Sequence, residues 1–344
     1  MIKASFDGDR IRLRGLPPGA DVQIRPTING QLPAMAGKLV GDGDDLLFRP
    51  RFGFVGGTTY AVWVGGALVA ALTRPRPDRE ATTEVAEIFP TAQEVPRNLL
   101  RCYVWFTRPM SVGYAADNVR LVDDAGNTIK GALLPFDHEL WDADHTRLTV
   151  LLDPARIKRG LVSNVEVGYA LREDEMFRLV VGTGFLDAQG LPLKDRAERR
   201  YRVTDDERRR VDPARWILTV PTEGTREPLR VDFDRPMDQG LLARCLRVRN
   251  VQGDVEFGAR NWSLTPHQPW AAAKHELVVD PVLEDVAGNS VARVFDRDLD
   301  ESDDVPDTTV SFTPGEAAAG PPSPTPAAPW RSAAPRARRP TSSA

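Results

Sequence analysis

A five-residue string occurs twice in this chain, and its recurrence limits the fold more than any other feature. Residues 106–110 read Phe-Thr-Arg-Pro-Met, and residues 233–237 read Phe-Asp-Arg-Pro-Met. Each closes a strand pattern. Before the second copy, Leu229, Val231 and Phe233 alternate with Arg230 and Asp232, the period-two signature of a half-buried strand. Before the first, Cys102, Val104 and Phe106 alternate with Tyr103 and Trp105, so both faces are apolar. A second string repeats further on. Leu179, Asp187 and Gly190 match Leu277, Asp285 and Gly288 at one common offset. Each is a strand running into an Asp-x-x-Gly turn, where aspartate caps the backbone and glycine takes the positive φ. A chain that repeats strand-and-turn units in this way folds as modules.

The unit reads as strand, Phe-x-Arg-Pro-Met, strand, strand ending in proline, loop, strand, Asp-x-x-Gly turn, strand. Leu148 to Pro154 and Ser263 to Pro266 supply the strand that ends in proline, and Leu47-Phe48-Arg49-Pro50 echoes it near the start. The first copy is degenerate, because it lacks the Phe-x-Arg-Pro-Met opening. Glycine (27) and proline (29) are dense, which favours short strands and turns over long helices. The sequence therefore predicts an all-β chain of sandwiches or barrels. Polar Pro/Arg-rich stretches at Thr73–Thr83 and Asp205–Pro213 set the boundaries. The expected units are a degenerate N-terminal β module at 1–78, a module with a long insert (about 123–177) at 84–204, and a further module at 212–300. Residues 301–344 are expected to be an acidic linker and a disordered tail. The acidic run spans Asp296 to Asp307, and a short strand at Thr308–Phe312 is expected to follow it. From Gly315 the chain is Ala, Pro, Ser and Arg, which cannot bury enough apolar surface to offset ordering entropy.

These strings resemble the bacterial Ig-like module of the SbsA type, found in S-layer and other envelope proteins. That module opens on Phe-Ser-x-Pro-Met and closes on Asp-x-x-Gly-Asn. Phe233, Pro236 and Met237 fit the opening, and Asp285, Gly288 and Asn289 fit the close. Phe106, Pro109 and Met110 fit the opening of the middle copy, and Asp187 and Gly190 fit its turn, with Leu191 after the glycine. Up to about residue 300 the chain is similar to uncharacterised bacterial proteins built from such modules. Glu139-Leu140-Trp141-Asp142 and Asp153 to Leu161 carry that likeness. The resemblance implies tandem Ig-like β-sandwich modules, no reaction, and an extracytoplasmic place in the cell envelope. The motif residues also make structural sense. Pro109 and Pro236 lack an N–H and end a ladder, and Met110 and Met237 fill the end of a core.

Charge and motifs narrow the function. A net charge of −4 lacks the basic excess of a nucleic-acid binder. Charges at Lys3, Asp7, Asp9 and Arg10 interrupt the apolar run of a signal peptide. The longest apolar stretch, Tyr60 to Leu72, falls short of the ~20 residues a spanning helix needs, so no transmembrane segment is expected. Cys102 and Cys245 lie in apolar stretches and are expected to be buried thiols. Gly182-Thr183-Gly184 lacks the third glycine of a dinucleotide loop. His138, Glu139, Asp142, Asp144 and His145 are the candidate metal ligands, with imidazoles for zinc and carboxylates for calcium. Asp142 to Thr146 lacks the glycine and distal glutamate of an EF-hand loop, so a polar hairpin turn is the simpler expectation. No cofactor is expected; calcium is the nearest alternative. Trp141, Trp216, Trp262 and Trp270 suit a core better than a sugar-stacking face.

The expected function is a non-catalytic structural, adhesive or scaffold role, with a wall polymer or envelope protein as partner. The basic tail (Arg331, Arg336, Arg338, Arg339) suits an anionic surface. One alternative is a carbohydrate- or peptide-binding module using Tyr103 and Trp105 as an exposed stripe. The other is an enzyme with its site in the 123–177 insert.

Overall fold

The computed structural model describes residues 2–16, 19–27, 33–76, 78–157, 168–295 and 306–316. The expected tail beyond 316 and the acidic stretch 296–305 lie outside these residues. The chain is mostly β. Its strands form six sheets among the described residues, and its helices are short: Ala115–Asn118, Pro154–Ile157 and Gln239–Cys245.

The sheets pair into three sandwiches. The first stacks strands Lys3–Asp7, Arg10–Arg14, Asp45–Pro50 and Gly37–Asp42 on strands Val22–Pro26, Thr59–Val64 and Ala67–Thr73. Alternation decides which face turns inward: Ile11 and Leu13 are fully buried between exposed or half-exposed arginines. They meet Ile24, Tyr60 and Val62 of the other sheet, and Phe54 packs its edge on Tyr60 at 4.8 Å. The sequence echo at Leu47 to Pro50 is thus a strand of this first sandwich.

The middle sandwich has one sheet in the order Leu140–Trp141, Arg147–Leu151, Arg101–Phe106, Val85–Phe89. Its other sheet runs Val119–Asp123, Met176–Val181, Ala197–Thr204, Glu94–Pro96, the last pair being parallel. The third sandwich repeats the plan. Gly253–Phe257, Asn261–Pro266, Leu229–Asp232 and Ile217–Thr219 follow the first order, and Leu246–Val248, His275–Val279 and Thr308–Phe312 follow the second. Cys102, Val104 and Phe106 face Leu121, Phe177, Leu179 and Tyr201 in the middle core. Leu229, Val231 and Trp262 face Leu277, Val279 and Phe312 in the third. Full burial of side chains of this size contributes roughly 1.5–3 kcal/mol each.

Two expected boundaries shift. Arg147–Leu151 lies inside 123–177, yet it is a central strand with Leu148 and Val150 fully buried. It occupies the place of Asn261–Pro266 in the third sandwich, so the extra residues form separate loops on either side of it. The third sandwich also reaches past 300. Thr308–Phe312 pairs antiparallel with His275–Val279, and Phe312 enters the core. The short strand expected at Thr308–Phe312 therefore belongs to the third sandwich and completes its sheet, rather than standing in a linker.

Phe312→Ala should lower the stability of the third sandwich by about 3–5 kcal/mol. Urea unfolding followed by tryptophan fluorescence checks this, and an unchanged midpoint would contradict the assignment.

Candidate functional site

The two repeated strings meet in space, in the same way in both copies. Met110 bridges Asp187, and Met237 bridges Asp285. Around the first bridge, the Ser111 N–H donates to the Leu186 carbonyl at 3.0 Å, and the Ala188 N–H to the Pro109 carbonyl at 2.9 Å. Around the second, Asp238 donates to Glu284 at 2.9 Å and Val286 to Pro236 at 3.3 Å. The aspartates cap their own turns. Asp187 Oδ1 accepts the N–H of Gln189 and of Leu191, each at 2.9 Å. Asp285 Oδ1 accepts from Ala287 at 3.0 Å and Asn289 at 2.9 Å. Gly190 and Gly288 both sit at φ +82°, where a side chain is strained.

Each of these turns stands at a joint with the preceding module. A Cβ on Gly190 would lie 2.3 Å from the Gly56 nitrogen of the first sandwich. One on Gly288 would lie 2.5 Å from Leu100 Cδ2 of the middle sandwich. At the first joint, Thr83 of the connecting segment donates its hydroxyl to Asp187 Oδ2 at 2.8 Å, and both residues are buried. The Thr58 and Tyr114 hydroxyls share a hydrogen bond of 2.7 Å.

The second joint is more heavily charged. Tyr103 donates its hydroxyl to Asp238 Oδ2 at 2.9 Å, and Arg101 Nε lies 3.3 Å from the same oxygen. Arg101 also pairs with Glu284. The Leu100 N–H donates to the Val286 carbonyl at 3.0 Å, and Val286 packs into the middle core. Gln239 Oε1 accepts the Thr91 N–H at 2.7 Å. Arg235 of the repeated string is 4% exposed and reaches Asp285 and, in the connecting segment, Glu207, each at 3.2 Å, and the Arg209 carbonyl at 2.8 Å. Asn98 and Asn289 both donate to the Glu207 carbonyl, at 2.8 and 3.0 Å. Asp238 also caps the helix Gln239–Cys245 by accepting the Gly240 N–H at 2.9 Å.

Burial sets the electrostatics. It pushes Asp238 and Glu284 above the usual carboxylate range, with the charge of Arg101 acting against it. Burial pushes Asp285 up to about 6, although Asn289 and Arg235 favour its ionised form. Burial also acts to raise Glu207, but its hydrogen bonds to Arg209 outweigh that and hold it low.

Tyr103 was expected on an exposed stripe; it is instead 6% exposed. Its strand does point it out of the middle core, but the third sandwich covers it there: a Cβ on Gly240 would fall 2.7 Å from its ring. Trp105 remains 37% exposed, edge-on to Phe89 and beneath the Arg147 guanidinium. Trp216, Trp262 and Trp270 are buried, and Trp141 packs on Phe106 and Phe185.

The candidate metal ligands do not converge. Asp142 caps its turn by accepting from the Thr146 N–H (2.8 Å) and the Arg147 N–H (3.1 Å). Glu139 accepts from the Ala115 N–H and Trp141 Nε1, each at 2.7 Å. His145 stacks on Trp141, while His138 and Asp144 are exposed. No group of three metal-binding side chains forms among the described residues. His138 and Glu139 do line a cleft of about 650 Å³ with Ile129, Leu133 and Phe136. Gly182 and Gly184 pack against Asn118. Cys102 and Cys245 are buried free thiols, and burial pushes Cys102 up to about 12. No helix among the described residues is long and apolar enough to cross a membrane.

Sequence reasoning missed Gly56, Arg101, Asp238 and Glu207, the partners that turn a repeated motif into a joint. Asp238 carried a readable signal, as an aspartate directly ahead of a short helical pattern.

No family model matches the chain, and no curated protein matches it. Among solved structures, the chain is similar to the I9-I11 tandem from titin at 10% identity and TM-score 0.18, covering 92% of this chain and 100% of that one. It is similar to the Ig1-Ig3 ectodomain of mouse nectin-like molecule 4 at 12% identity and TM-score 0.17, covering 91% and 95%. A third is the Bacteroides ovatus glucan-locus protein SGBP-B in complex with a mixed-linkage heptasaccharide, at 12% identity and TM-score 0.20, covering 86% and 60%. At such TM-scores the likeness carries no argument, and the architecture rests on the sheets themselves.

The raised Asp285 gives a signed pH effect. Its folded-state value lies above its unfolded one, so its contribution is fully present below the unfolded value and is lost as pH rises through about 6. Wild type should therefore gain about 1 kcal/mol over Asp285→Asn between about pH 7 and about pH 5. Urea midpoints at the two pH values check this; a pH-independent difference would contradict it.

Proposed function

We propose that the chain is a non-catalytic scaffold or spacer, whose sandwiches are held at set angles by their own turns. The observation that carries this reading is the placement of Gly190 and Gly288. The same turn glycine of two successive copies is wedged against the module before it. Positive φ already calls for glycine in each turn; what supports the reading is that the open Cβ direction meets the preceding module at both joints. The group of half-buried Arg101 with buried Asp238 and Tyr103, and the Arg235, Asp285 and Glu207 group, then favour one orientation at the second joint. A bacterial envelope setting is supported by the SbsA-type strings and by the basic tail, which suits an anionic wall polymer. Such a role is mechanical: it fixes distance and direction between whatever the two ends hold.

Gly190→Ala tests the wedge. Its methyl would meet the Gly56 backbone, whereas a methyl at Gly126 (φ +87°) meets open space. Each substitution costs about 1 kcal/mol or somewhat more through the positive φ. Only Gly190→Ala should also enlarge the radius of gyration in X-ray scattering. Equal radii for the two variants would overturn the reading.

A second reading rests on Trp105, which is half-exposed on the outer face of a sheet beside Arg147. Such an indole offers an apolar surface with a polar neighbour, which suits a carbohydrate or a peptide. A glycan array should then give hits that Trp105→Ala loses. An array without hits would end the carbohydrate form of this reading.

A further inference from the structure

Strand Gly37–Asp42 ends the first sheet of the first sandwich. Among the described residues it pairs only with Asp45–Pro50. All six of its residues are exposed, and Leu39 and Val40 leave 38% and 36% of their surface uncovered. Four other sheet edges are protected in familiar ways. Leu140–Trp141 has two residues, Glu94–Pro96 ends on proline, and Val119–Asp123 is screened by hydrogen bonds to residues 127–129. Gly253–Phe257 places Asp254 and Glu256 on its edge, which would repel a copy of itself.

The phase of the ladder shows which groups remain open. The Ala36 carbonyl accepts the Arg51 N–H at 2.8 Å, directly opposite it in the register that continues as Gly37 to Pro50 and Lys38 to Arg49. Even-numbered residues therefore spend their backbone groups on the partner strand, and Leu39 and Gly41 turn theirs outward. Proline at position 50 agrees with this phase, since the residue opposite Gly37 needs no N–H toward it.

We propose that this edge pairs antiparallel with the same edge of a second copy, centred on Val40. In that register Leu39 faces Gly41 of the copy in a hydrogen-bonded pair, so the outward groups meet outward groups. Lys38 faces Asp42 of the copy in the non-hydrogen-bonded pair, where side chains lie closer. The two-fold axis makes each of these pairs twice. Gly41 has nothing within 4 Å of its Cβ direction, which leaves room for the Leu39 side chain of the copy. Lys38 forms no ion pair among the described residues. Asp42 holds Arg12 at 2.7 Å and keeps acceptor capacity for a second donor. A strand of this length buries less than the ~1,200 Å² of a stable complex, so the dimer is weak and concentration-dependent. This inference does not depend on the scaffold reading.

Sedimentation velocity over a concentration series tests it on the full chain, with circular dichroism to confirm that each variant folds. Wild type should self-associate at concentrations up to about 1 mM. Lys38→Asp, which sets like charges opposite each other twice, should weaken association at least about tenfold. Lys38→Asp with Asp42→Lys should restore most of it. A wild type that stays monomeric, a Lys38→Asp variant that associates as well as wild type, or a double variant no better than the single one would each overturn the proposal.

Discussion

A carboxylate taken out of water must be surrounded by donors, and in this chain that requirement ties one module to the next. Asp187 and Asp285 are each 1% exposed. Their own turns satisfy only one oxygen through backbone N–H groups. The other oxygen of Asp187 looks to the connecting segment ahead of its module, where Thr83 serves it. The second oxygen of Asp285 accepts from the Asn289 amide of its own turn at 3.0 Å and from Arg235 at 3.2 Å, and Arg235 in turn holds the Arg209 carbonyl of the connecting segment. The capped turn is thereby oriented, and its glycine faces the preceding sandwich. A local rule of turn chemistry thus becomes a rule about how modules meet.

The second joint adds charge to this frame. Arg101, Asp238, Glu284 and Tyr103 form a compact group whose members come from both modules. Such a pair adds little net stability, because desolvation offsets most of the attraction. Its effect is on geometry. Moving the modules apart would leave a buried charge without its partner, and removing one member of such a pair typically costs 3–5 kcal/mol, so the observed docking is selected over near alternatives. The first joint relies on close backbone approach at Gly56 and Gly190 and on neutral hydroxyls, and is the less polar of the two.

Much of the fold was legible because it is written in local patterns. The alternation at Leu229, Val231 and Phe233 and the glycine at the positive-φ position of each turn report backbone requirements directly, and the strands and turns lie where those patterns fall. What was not legible is whatever depends on a second module. Tyr103 reads as an outward aromatic from its strand alone, and only the approach of Gly240 buries it. Arg147–Leu151 was legible as the counterpart of Ser263 to Pro266, but the insert drawn around it at 123–177 was not one piece, because the loops on either side differ in length between copies. Thr308–Phe312 was separated from its sheet by the acidic stretch, and sequence distance concealed its partner His275–Val279. The histidine and aspartate cluster at 138–145 shows the converse. Donors close in sequence were already committed to capping a turn.

The central claim is that the second joint holds one orientation in solution. Pulsed electron-electron resonance between spin labels on cysteines introduced at Ala125 and Glu256, both exposed, measures it directly, since Cys102 and Cys245 are buried. A joint set by buried groups gives a single narrow distance distribution that does not move between low and high salt, because burial shields those charges from screening. A broad distribution, or one that shifts as salt is raised, would mean that the sandwiches swing freely and that the turns serve only their own cores.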